Sequence, residues 1–546
     1  MFRIGKSLIV TFLVILLYTT PVLAATAIPF TINLSEPVNV TGTPRIAVDV
    51  GGVTRYATYS SGTTTSALTF TYNMVAGDVD LDGVTVSSPI DLNGGTIKDL
   101  AGNDLTPLTF TAPNTTNVKV NYPSLSMDFI YDADGRYTLN GTAYNDLTSF
   151  LSAASGSFTR ASVGTYYDSA GTLQTAASGV PRFDFDPVTH AAKGILIEES
   201  RANLWQDSEA FNNPFWIASQ VTVSPNVTIS PAGTMTAEKI TEASGGTFHY
   251  VGLAPNYSAN TTRTVSVYAK AAERQWLRVY ADDGSVNSAY ANFNLGTGTY
   301  DFVGGNNSYT SSAMILNVGN GWYRCILTYS IATSTTRVQF IMRTTGGTGP
   351  SSYAGDGSSG LYLWGAQIEQ GAFATSYIPT TTATVTRAAD VMLINNISPW
   401  SNTNKSTLFS IFSSFGTTVN RQIASFGDGI SPYYNGAQRI GLNSSNGLEA
   451  RQQTTSGQSL TGNYSGPSAT IVKKISFASD VSGTGAVAVD GTIQSLSQTG
   501  IAGTISFSKL GVGNDDMGTT QLNGYVEKFK YYPSILSNTQ LQLLTQ

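Results

Sequence analysis

Short apolar runs that alternate with polar residues and end at turn-forming residues constrain the fold of this chain most strongly. Near the N-terminus the runs Phe30–Leu34, Arg45–Val50 and Leu68–Tyr72 follow this pattern, and Gly, Asn and Thr separate them. β-branched and aromatic side chains favour strands, whereas Gly and Asn accept the positive φ angles that turns need. The 546-residue chain has 54 Gly, 28 Tyr and 24 Phe, in keeping with this pattern over its whole length. The sequence therefore predicts an all-β protein made of tandem β-sandwiches.

The composition argues against a nucleic-acid partner and a disulfide framework. A net charge of −6 without a Lys/Arg cluster leaves no basic stripe that could neutralise phosphates. The single cysteine, Cys325, can form neither an internal disulfide nor a cysteine-based metal site. Alternation places Tyr323, Cys325 and Leu327 on one face of a strand, which predicts a buried and chemically inert thiol.

Residues 1–24 have the composition of an export signal. Arg3 and Lys6 precede a mostly apolar stretch, Ser7–Tyr18, and small residues ending at Ala24 offer a cleavage site. The mature chain would then begin near Ala25 and be secreted, displayed on the cell surface or carried in a virion tail. An uncleaved membrane anchor is the alternative, and the short length of the apolar stretch argues against it.

Two longer motifs bracket the middle of the chain. Arg182–Leu204 runs from Phe-Asp-Phe-Asp-Pro to Glu-Glu-Ser-Arg-Ala-Asn, and Trp364–Thr380 runs from Trp-Gly-Ala-Gln to Tyr-Ile-Pro-Thr. The pair resembles the segments that open and close a jelly-roll domain in phage and prophage tail-fibre and tail-spike-like proteins. The resemblance implies a carbohydrate-binding jelly roll over residues 198–390 and a receptor-binding role. Residues 122–197 would form a connecting subdomain, with one helical turn near Tyr144–Leu151.

The flanking regions resemble two other sandwich families. The spacing of strands and turns over residues 25–121 predicts about seven strands. Leu34–Pro44, together with Leu92–Asn103, resembles the Ig-like repeats of bacterial adhesion proteins, which act mostly as spacers. In residues 391–546, Gly485–Gly491 and Asn523–Pro533 resemble the late strands of concanavalin-like (laminin-G-like) sandwiches. The predicted order is thus Ig-like sandwich, connecting subdomain, jelly roll and concanavalin-like sandwich.

Alternating aspartates in the first domain are the candidate metal ligands. Asp78, Asp80 and Asp82 are followed directly by a glycine, and such a loop suits a hard cation such as Ca²⁺. The twelfth position of an EF-hand count holds Pro89 instead of Glu, so the loop is not an EF-hand. The alternative is an acidic turn in which the carboxylates cap backbone N–H groups. The shorter echo at residues 132–135 is interpreted as such a turn.

Three strands of the middle domain combine an apolar face with a face of aromatic, arginine and amide side chains. Period-two alternation separates these faces. Carbohydrate binding requires a flat ring for the apolar side of a sugar and planar donors and acceptors for its hydroxyls. The alternative is an ordinary solvent-exposed face of a sandwich. The predicted carbohydrate-binding residues are Trp276, Arg278, Tyr280, Tyr290, Asn292, Arg337 and Gln339.

The sequence favours recognition without catalysis. His190 and His249 lie outside any metal-binding motif, and neither a nucleophile elbow nor a phosphate loop is present. Glu198 and Glu199 are adjacent, so on a strand they would point to opposite faces, which does not suit an acid–base pair. We expect a non-enzymatic protein that binds cell-surface glycans or polysaccharide, as a homo-oligomer or attached to a virion or cell-surface assembly. A scaffold without a ligand and a concanavalin-like polysaccharide hydrolase are the alternatives.

Overall fold

The described part of the chain consists of antiparallel β-sheets and two short helices. This architecture confirms the predicted all-β class with tandem sandwiches. The predicted export signal and the turn at residues 132–135 lie outside the described residues. No helix within the described ranges is both long and apolar enough to span a membrane. The computed structural model describes residues 27–130, 136–307, 309–349, 351–415, 420–430, 438–445, 447–453, 459–464, 472–499 and 507–546.

The first domain has its own core beneath one continuous sheet. Its strands are β1 Ala27–Thr41, β2 Arg45–Val50, β3 Val53–Ser61, β4 Thr65–Asn73, β5 Asp78–Asp80, β6 Thr85–Asp91, β7 Thr96–Asp99 and β8 Val120–Tyr122. Six strands form a sheet in the order β6-β2-β3-β4-β1-β7, and β5 pairs with β8. The long β1 pairs first with β4 and then, after an irregular register, with β7. This change of partner lets the sheet enclose buried side chains such as Phe30, Ile46 and Phe70.

The next segment consists of short elements. They are β9 Leu125–Asp128, β10 Tyr137–Leu139, β11 Thr142–Tyr144, α1 Leu147–Ala153, β12 Gly156–Thr159, β13 Gly164–Tyr167, β14 Leu173–Ala176, β15 Phe183–Phe185 and β16 Ala192–Ile197. The helix α1 overlaps the predicted helical turn. Its N-cap is Asp146, whose carboxylate accepts a hydrogen bond from the Ser149 N–H at 2.8 Å. Such a cap satisfies an N–H group that has no partner inside the helix.

A sandwich of two six-stranded sheets follows. Its strands are β17 Arg201–Asn203, β18 Ile217–Ser219, β19 Val221–Thr228, β20 Ala237–Glu242, β21 Ser244–Gly245, β22 Tyr250–Leu253, β23 Arg263–Ala271, β24 Trp276–Asp282, β25 Ser288–Asn294, β26 Thr299–Asn306, β27 Tyr309–Asn317, β28 Trp322–Ile331, β29 Arg337–Arg343, β30 Gly355–Asp356, β31 Gly360–Gln370 and β32 Val385–Arg387. The orders of the two sheets are β18-β22-β29-β24-β25-β26 and β19-β20-β31-β23-β28-β27. The other four strands form two separate pairs, β17 with β32 and β21 with β30.

The C-terminal part adds twelve strands and a helix. They are β33 Val391–Ile394, β34 Lys405–Ser414, β35 Arg421–Gly427, β36 Gln438–Leu442, β37 Leu448–Gln453, β38 Ser459–Tyr464, β39 Lys473–Asp480, β40 Gly485–Val489, β41 Thr492–Gln494, β42 Ser497–Thr499, β43 Lys509–Val512, β44 Gly524–Tyr532 and α2 Asn538–Thr545. A capping-box sequence at Ser537 and Gln540 predicts this last helix. The structure confirms it, because the Ser537 hydroxyl accepts a hydrogen bond from the Gln540 N–H at 3.4 Å.

Residues 122–197 are part of the C-terminal sandwich, and their prediction as a separate connecting subdomain is wrong. One sheet of that sandwich has the order β11-β10-β9-β44-β34-β39-β40-β41, with β16 also pairing with β44 and β15 with β16. The other has the order β12-β33-β43-β35-β36-β37-β38-β42. Leu125, Phe150 and Ile195 share one core with Phe477 and Phe529. We call this two-part sandwich, together with the separate β13–β14 hairpin, the body. The sandwich of two six-stranded sheets is inserted into it.

A buried ion network holds the two ends of the insertion together. Arg182 forms salt bridges with Glu198, at 2.8 Å, and with Asp390. Arg160 forms a second salt bridge with Asp390, at 3.0 Å. Arg387 bonds Glu198 at 2.9 Å, and the exposed fraction of all five side chains is at most 1%. Buried charges are stable in proteins only when they are paired in this way. Arg182 and Glu198 of the Arg182–Leu204 motif are therefore part of the joint between the insertion and the body.

Candidate functional site

The inserted sandwich has a single core between its two sheets. We call β18-β22-β29-β24-β25-β26 the polar-faced sheet and β19-β20-β31-β23-β28-β27 the docking sheet. Leu277 and Phe340 of the polar-faced sheet point into this core, as does Val265 of the docking sheet. Cys325 lies in the same core, as predicted, and burial raises the pKa of its thiol well above the ordinary value. The alternation read from the sequence therefore assigns the apolar faces correctly.

The middle strands of the docking sheet pack their outer face against the β13–β14 hairpin of the body. Tyr268, Trp322 and Trp364 of this sheet belong to one buried cluster with Leu173 of the β13–β14 hairpin. The hydroxyl of Tyr167 in that hairpin lies 3.4 Å from the Tyr268 hydroxyl. The two outer faces of a sandwich point in opposite directions. The outer face of the polar-faced sheet is therefore turned away from this contact with the body.

The predicted carbohydrate-binding residues come together on that outer face. The strand register places Arg278 opposite Asn292, and Tyr280 between Tyr290 and Gln339. Arg278 Nε donates to Asn292 Oδ1 at 2.7 Å, and the Arg278 guanidinium lies 4.0 Å from the centroid of the Tyr290 ring. The rings of Tyr280 and Tyr290 are 6.0 Å apart. We call this surface the polar face, and its residues are Trp276, Arg278, Tyr280, Tyr290, Asn292, Arg337 and Gln339.

Accessibility differs across the polar face. Arg278, Tyr290 and Asn292 are buried, with exposed fractions of 6%, 9% and 0%. Trp276 and Tyr280 are only partly buried. A partly exposed ring can stack on a sugar, whereas a buried polar group can bind one only after whatever covers it has moved.

A glycine-rich segment, Thr344–Gly349, covers the buried part of the polar face, and we call it the strap. The Gly347 carbonyl accepts hydrogen bonds from Asn292 Nδ2 at 2.7 Å, from Arg343 Nη1 at 2.9 Å and from Arg278 Nη2 at 3.3 Å. One peptide oxygen thus accepts hydrogen bonds from three side chains. These donors include two of the residues predicted to contact the sugar.

Sequence reasoning missed the other residues that hold the strap. Asp301 Oδ2 accepts a hydrogen bond from the Gly347 N–H at 2.6 Å. A Cβ atom added at Gly346 would lie 2.6 Å from the Trp276 ring, so the strap also rests on that ring. Arg343 could have been found, because it continues the alternation of Arg337 along β29. Asp301 and the strap could not, because loops and strand ends carry no regular period.

The arginines of the polar face stay protonated at neutral pH. Hydrogen bonds to Asp282, at 2.7 and 2.6 Å, raise the pKa of Arg337. Burial and then the nearby Arg343 lower the pKa of Arg278 to about 10, which is still well above neutrality. Burial raises the pKa of Tyr280, whose hydroxyl therefore stays neutral. The polar face consequently offers cationic and neutral hydrogen-bond donors beside aromatic rings.

The candidate metal ligands each have contacts within the protein. Asp78 pairs with Arg55 at 2.5 Å, and Asp80 accepts a hydrogen bond from the Gly51 N–H at 2.8 Å. Burial raises the pKa of Asp80. Among the residues that the structure describes, no three His, Cys, Asp or Glu side chains form a group that could hold a metal ion. Calcium binding by Asp78, Asp80 and Asp82 stays a prediction.

The aspartate segment also attaches the first domain to the body. Gln540 Nε2 donates to Asp82 Oδ1 at 2.9 Å, and the Leu81 N–H donates to Gln540 Oε1 at 3.0 Å. Val79 packs with Leu541 of α2 in a buried cluster. The side chain of Gln540, which a capping box would direct to its own helix, bridges two domains instead.

Glu198 and His249, whose residue types could act in acid–base chemistry, have contacts within the protein. Burial alone would raise the pKa of Glu198, but the arginines of the ion network outweigh burial and lower it to about 2. Glu198 is therefore ionised at neutral pH and has no proton to donate. His249 is buried, and its two ring nitrogens lie 2.8 and 3.2 Å from the backbone carbonyls of Gln220 and Tyr353.

Comparison with known proteins finds little. No family model and no curated protein matches the chain. Among solved structures, the CBM40 of the Ruminococcus gnavus IT-sialidase, bound to alpha2,3 sialyllactose, matches with a TM-score of 0.23 and 11% identity over 27% of this chain and 84% of that one. A second structure of this CBM40 matches with a TM-score of 0.23 and 13% identity over the same shares of the two chains. Likeness at this level transfers neither a site nor a ligand to this chain.

Proposed function

We propose that the protein recognises surface glycans, without chemical turnover, through the polar face of its inserted jelly roll. One observation carries the proposal. The β13–β14 hairpin of the body packs on the outer face of the docking sheet. The opposite outer face presents the partly exposed rings of Trp276 and Tyr280. Beside Tyr280 lie the exposed Arg337 and the partly buried Gln339, which supply guanidinium and amide donors. Rings flanked by planar donors suit a sugar, because the ring contacts its apolar side while the donors bind its hydroxyls.

The surrounding domains support a role in display of this face. The first domain is attached to the body through Gln540, and the body holds the jelly roll through the buried ion network. The Arg182–Leu204 and Trp364–Thr380 motifs resemble those of tail-fibre-like receptor-binding proteins, which favours attachment to a virion or a cell surface. Export through residues 1–24 is part of the proposal, and N-terminal sequencing of the native protein tests whether the mature chain begins near Ala25.

A glycan array with the full chain tests recognition, and Trp276→Ala tests the site. We expect this substitution to weaken binding to the strongest array ligand on the order of tenfold or more, because a central aromatic contact contributes over 1 kcal/mol. The melting temperature should stay close to that of the wild type, because the ring is only partly buried. Truncation of a core tryptophan would instead destabilise the protein by about 3–5 kcal/mol.

Tyr56→Ala is the matched control, because Tyr56 is an exposed aromatic residue of the first domain. It should leave glycan binding unchanged. Equal binding by the Trp276 and Tyr56 variants would place the sugar elsewhere. If the protein bound no glycan on the array, the result would favour the alternative of a scaffold without a ligand. Release of reducing ends from polysaccharide would contradict the absence of turnover and favour the hydrolase alternative.

A further inference from the structure

The strap closes the polar face with its own backbone. Side-chain donors of Arg278, Asn292 and Arg343 converge on the single carbonyl oxygen of Gly347, at 2.7 to 3.3 Å. A convergent set of planar donors is the arrangement that binds an oxygen atom of a ligand. The Gly347 peptide therefore stands where such a ligand oxygen would be bound.

The strap carries no apolar side chain of its own that could anchor it in the core. It consists of three threonines and three glycines, and Thr344, Thr345, Thr348 and Gly349 are exposed. Hydrogen bonds at an exposed loop open more easily than a packed core, because water replaces them at little net cost. The core of the sandwich lies on the other side of the sheet, so the strap can leave the polar face without disturbing it.

We propose that the strap is an intramolecular competitor of the glycan. Binding requires the Gly347 peptide to leave the donors of Arg278, Asn292 and Arg343, which oxygen atoms of the sugar then occupy. The inference rests on the proposed function, since opening matters only if the polar face binds sugar. A face that is open for a fraction of the time binds with an affinity reduced by that fraction. Weakening the strap should therefore raise the affinity for the glycan. If the strap were instead part of the binding surface, weakening it would lower that affinity.

Gly347→Ala weakens the strap without a steric clash. Gly347 has a φ of +75°, and a Cβ atom added there meets nothing within 4 Å. An L-residue in this left-handed conformation is strained, and the strain shifts the equilibrium between the closed and the open strap roughly five- to thirtyfold toward the open strap. Gly94→Ala is the matched control, because Gly94 has a φ of +78°, has no neighbour within 4 Å of an added Cβ, and lies in the first domain.

Two measurements on the full chain report the strap itself, independently of any sugar. Five of the six tryptophans are buried, so quenching of tryptophan fluorescence by acrylamide reports mainly on Trp276, against which the strap rests. Hydrogen exchange reports the Gly347 N–H that is bonded to Asp301. We expect stronger quenching and faster exchange in the Gly347 variant than in the Gly94 control. Asp301→Asn, at an exposed position, weakens the same hydrogen bond and should act in the same direction.

The binding measurement titrates the free oligosaccharide of the strongest spot on an array of bacterial and mammalian glycans. We expect Gly347→Ala to bind it about fivefold or more tightly than Gly94→Ala does. Equal or weaker binding would overturn this inference alone, because the strap would then be a bystander or part of the site. Unchanged quenching and exchange in both strap variants would overturn it as well. An array that neither the wild type nor any variant binds would overturn the proposed function and this inference with it.

Discussion

Asp390 is the residue whose replacement tests most sharply how the inserted sandwich is joined to the body. Its side chain is fully buried and accepts hydrogen bonds from Arg160, from Arg182 and from the backbone N–H of Glu198. Asp390→Asn keeps the shape but removes the charge, and it directs an NH₂ group toward donors that need an acceptor. Three buried arginines would then face Glu198 as the remaining carboxylate of the network.

The size of the effect follows from this arrangement. Removing one partner of a buried ion pair typically destabilises a protein by about 3–5 kcal/mol, because the remaining charge stays buried without compensation. For a domain of roughly 150 to 250 residues, each kcal/mol lowers the melting temperature by about 2–4 °C. We therefore expect Asp390→Asn to lower the melting temperature of the full chain by roughly 6 to 20 °C.

The assay is thermal unfolding followed by circular dichroism, with Asp490→Asn as the control. Asp490 also belongs to the body and pairs with Lys473 at 2.6 Å, but its side chain is 41% exposed. Surface ion pairs of this kind contribute about 1 kcal/mol or less, so the control should melt within a few degrees of the wild type. Equal melting temperatures for the two variants would refute the conclusion that the buried network stabilises the joint.

Two further predictions concern acid and calcium. The pKa of Glu198 is lowered from 4.5 to about 2, so its contribution to stability is complete above pH 4.5 and is lost as the pH falls through 2. The difference in melting temperature between the wild type and Glu198→Gln should stay constant from pH 7 to 5 and become smaller below pH 4.5. A difference that already becomes smaller above pH 5 would contradict this prediction. If Asp78, Asp80 and Asp82 bind Ca²⁺, calcium should raise the melting temperature of the full chain relative to a chelator, since binding to the folded state stabilises it. Identical melting curves with calcium and with the chelator would mean that these carboxylates only cap the turn and contact the body.

The sequence alone gave the class of the fold and the face of the candidate site. Period-two alternation placed Leu277 and Phe340 in the core and Arg278 and Asn292 together on the outer face, as the strand register confirms. The capping box at Ser537 gave the last helix for a similar reason. These features depend on residues within a few positions of one another, and strand and helix geometry relate such residues in a fixed way.

Tertiary structure decided the features that depend on distant parts of the chain. The sequence does not reveal that β9 and β16 both pair with β44, and its pattern therefore predicts a separate subdomain over residues 122–197. It likewise gave no sign that Gln540 would bridge to the aspartate segment. Nor did it show that the strap would cover Arg278, because a loop has no repeat to read. In each case the partner is chosen by packing and hydrogen bonding in three dimensions, and these forces act between residues without regard to their separation along the chain.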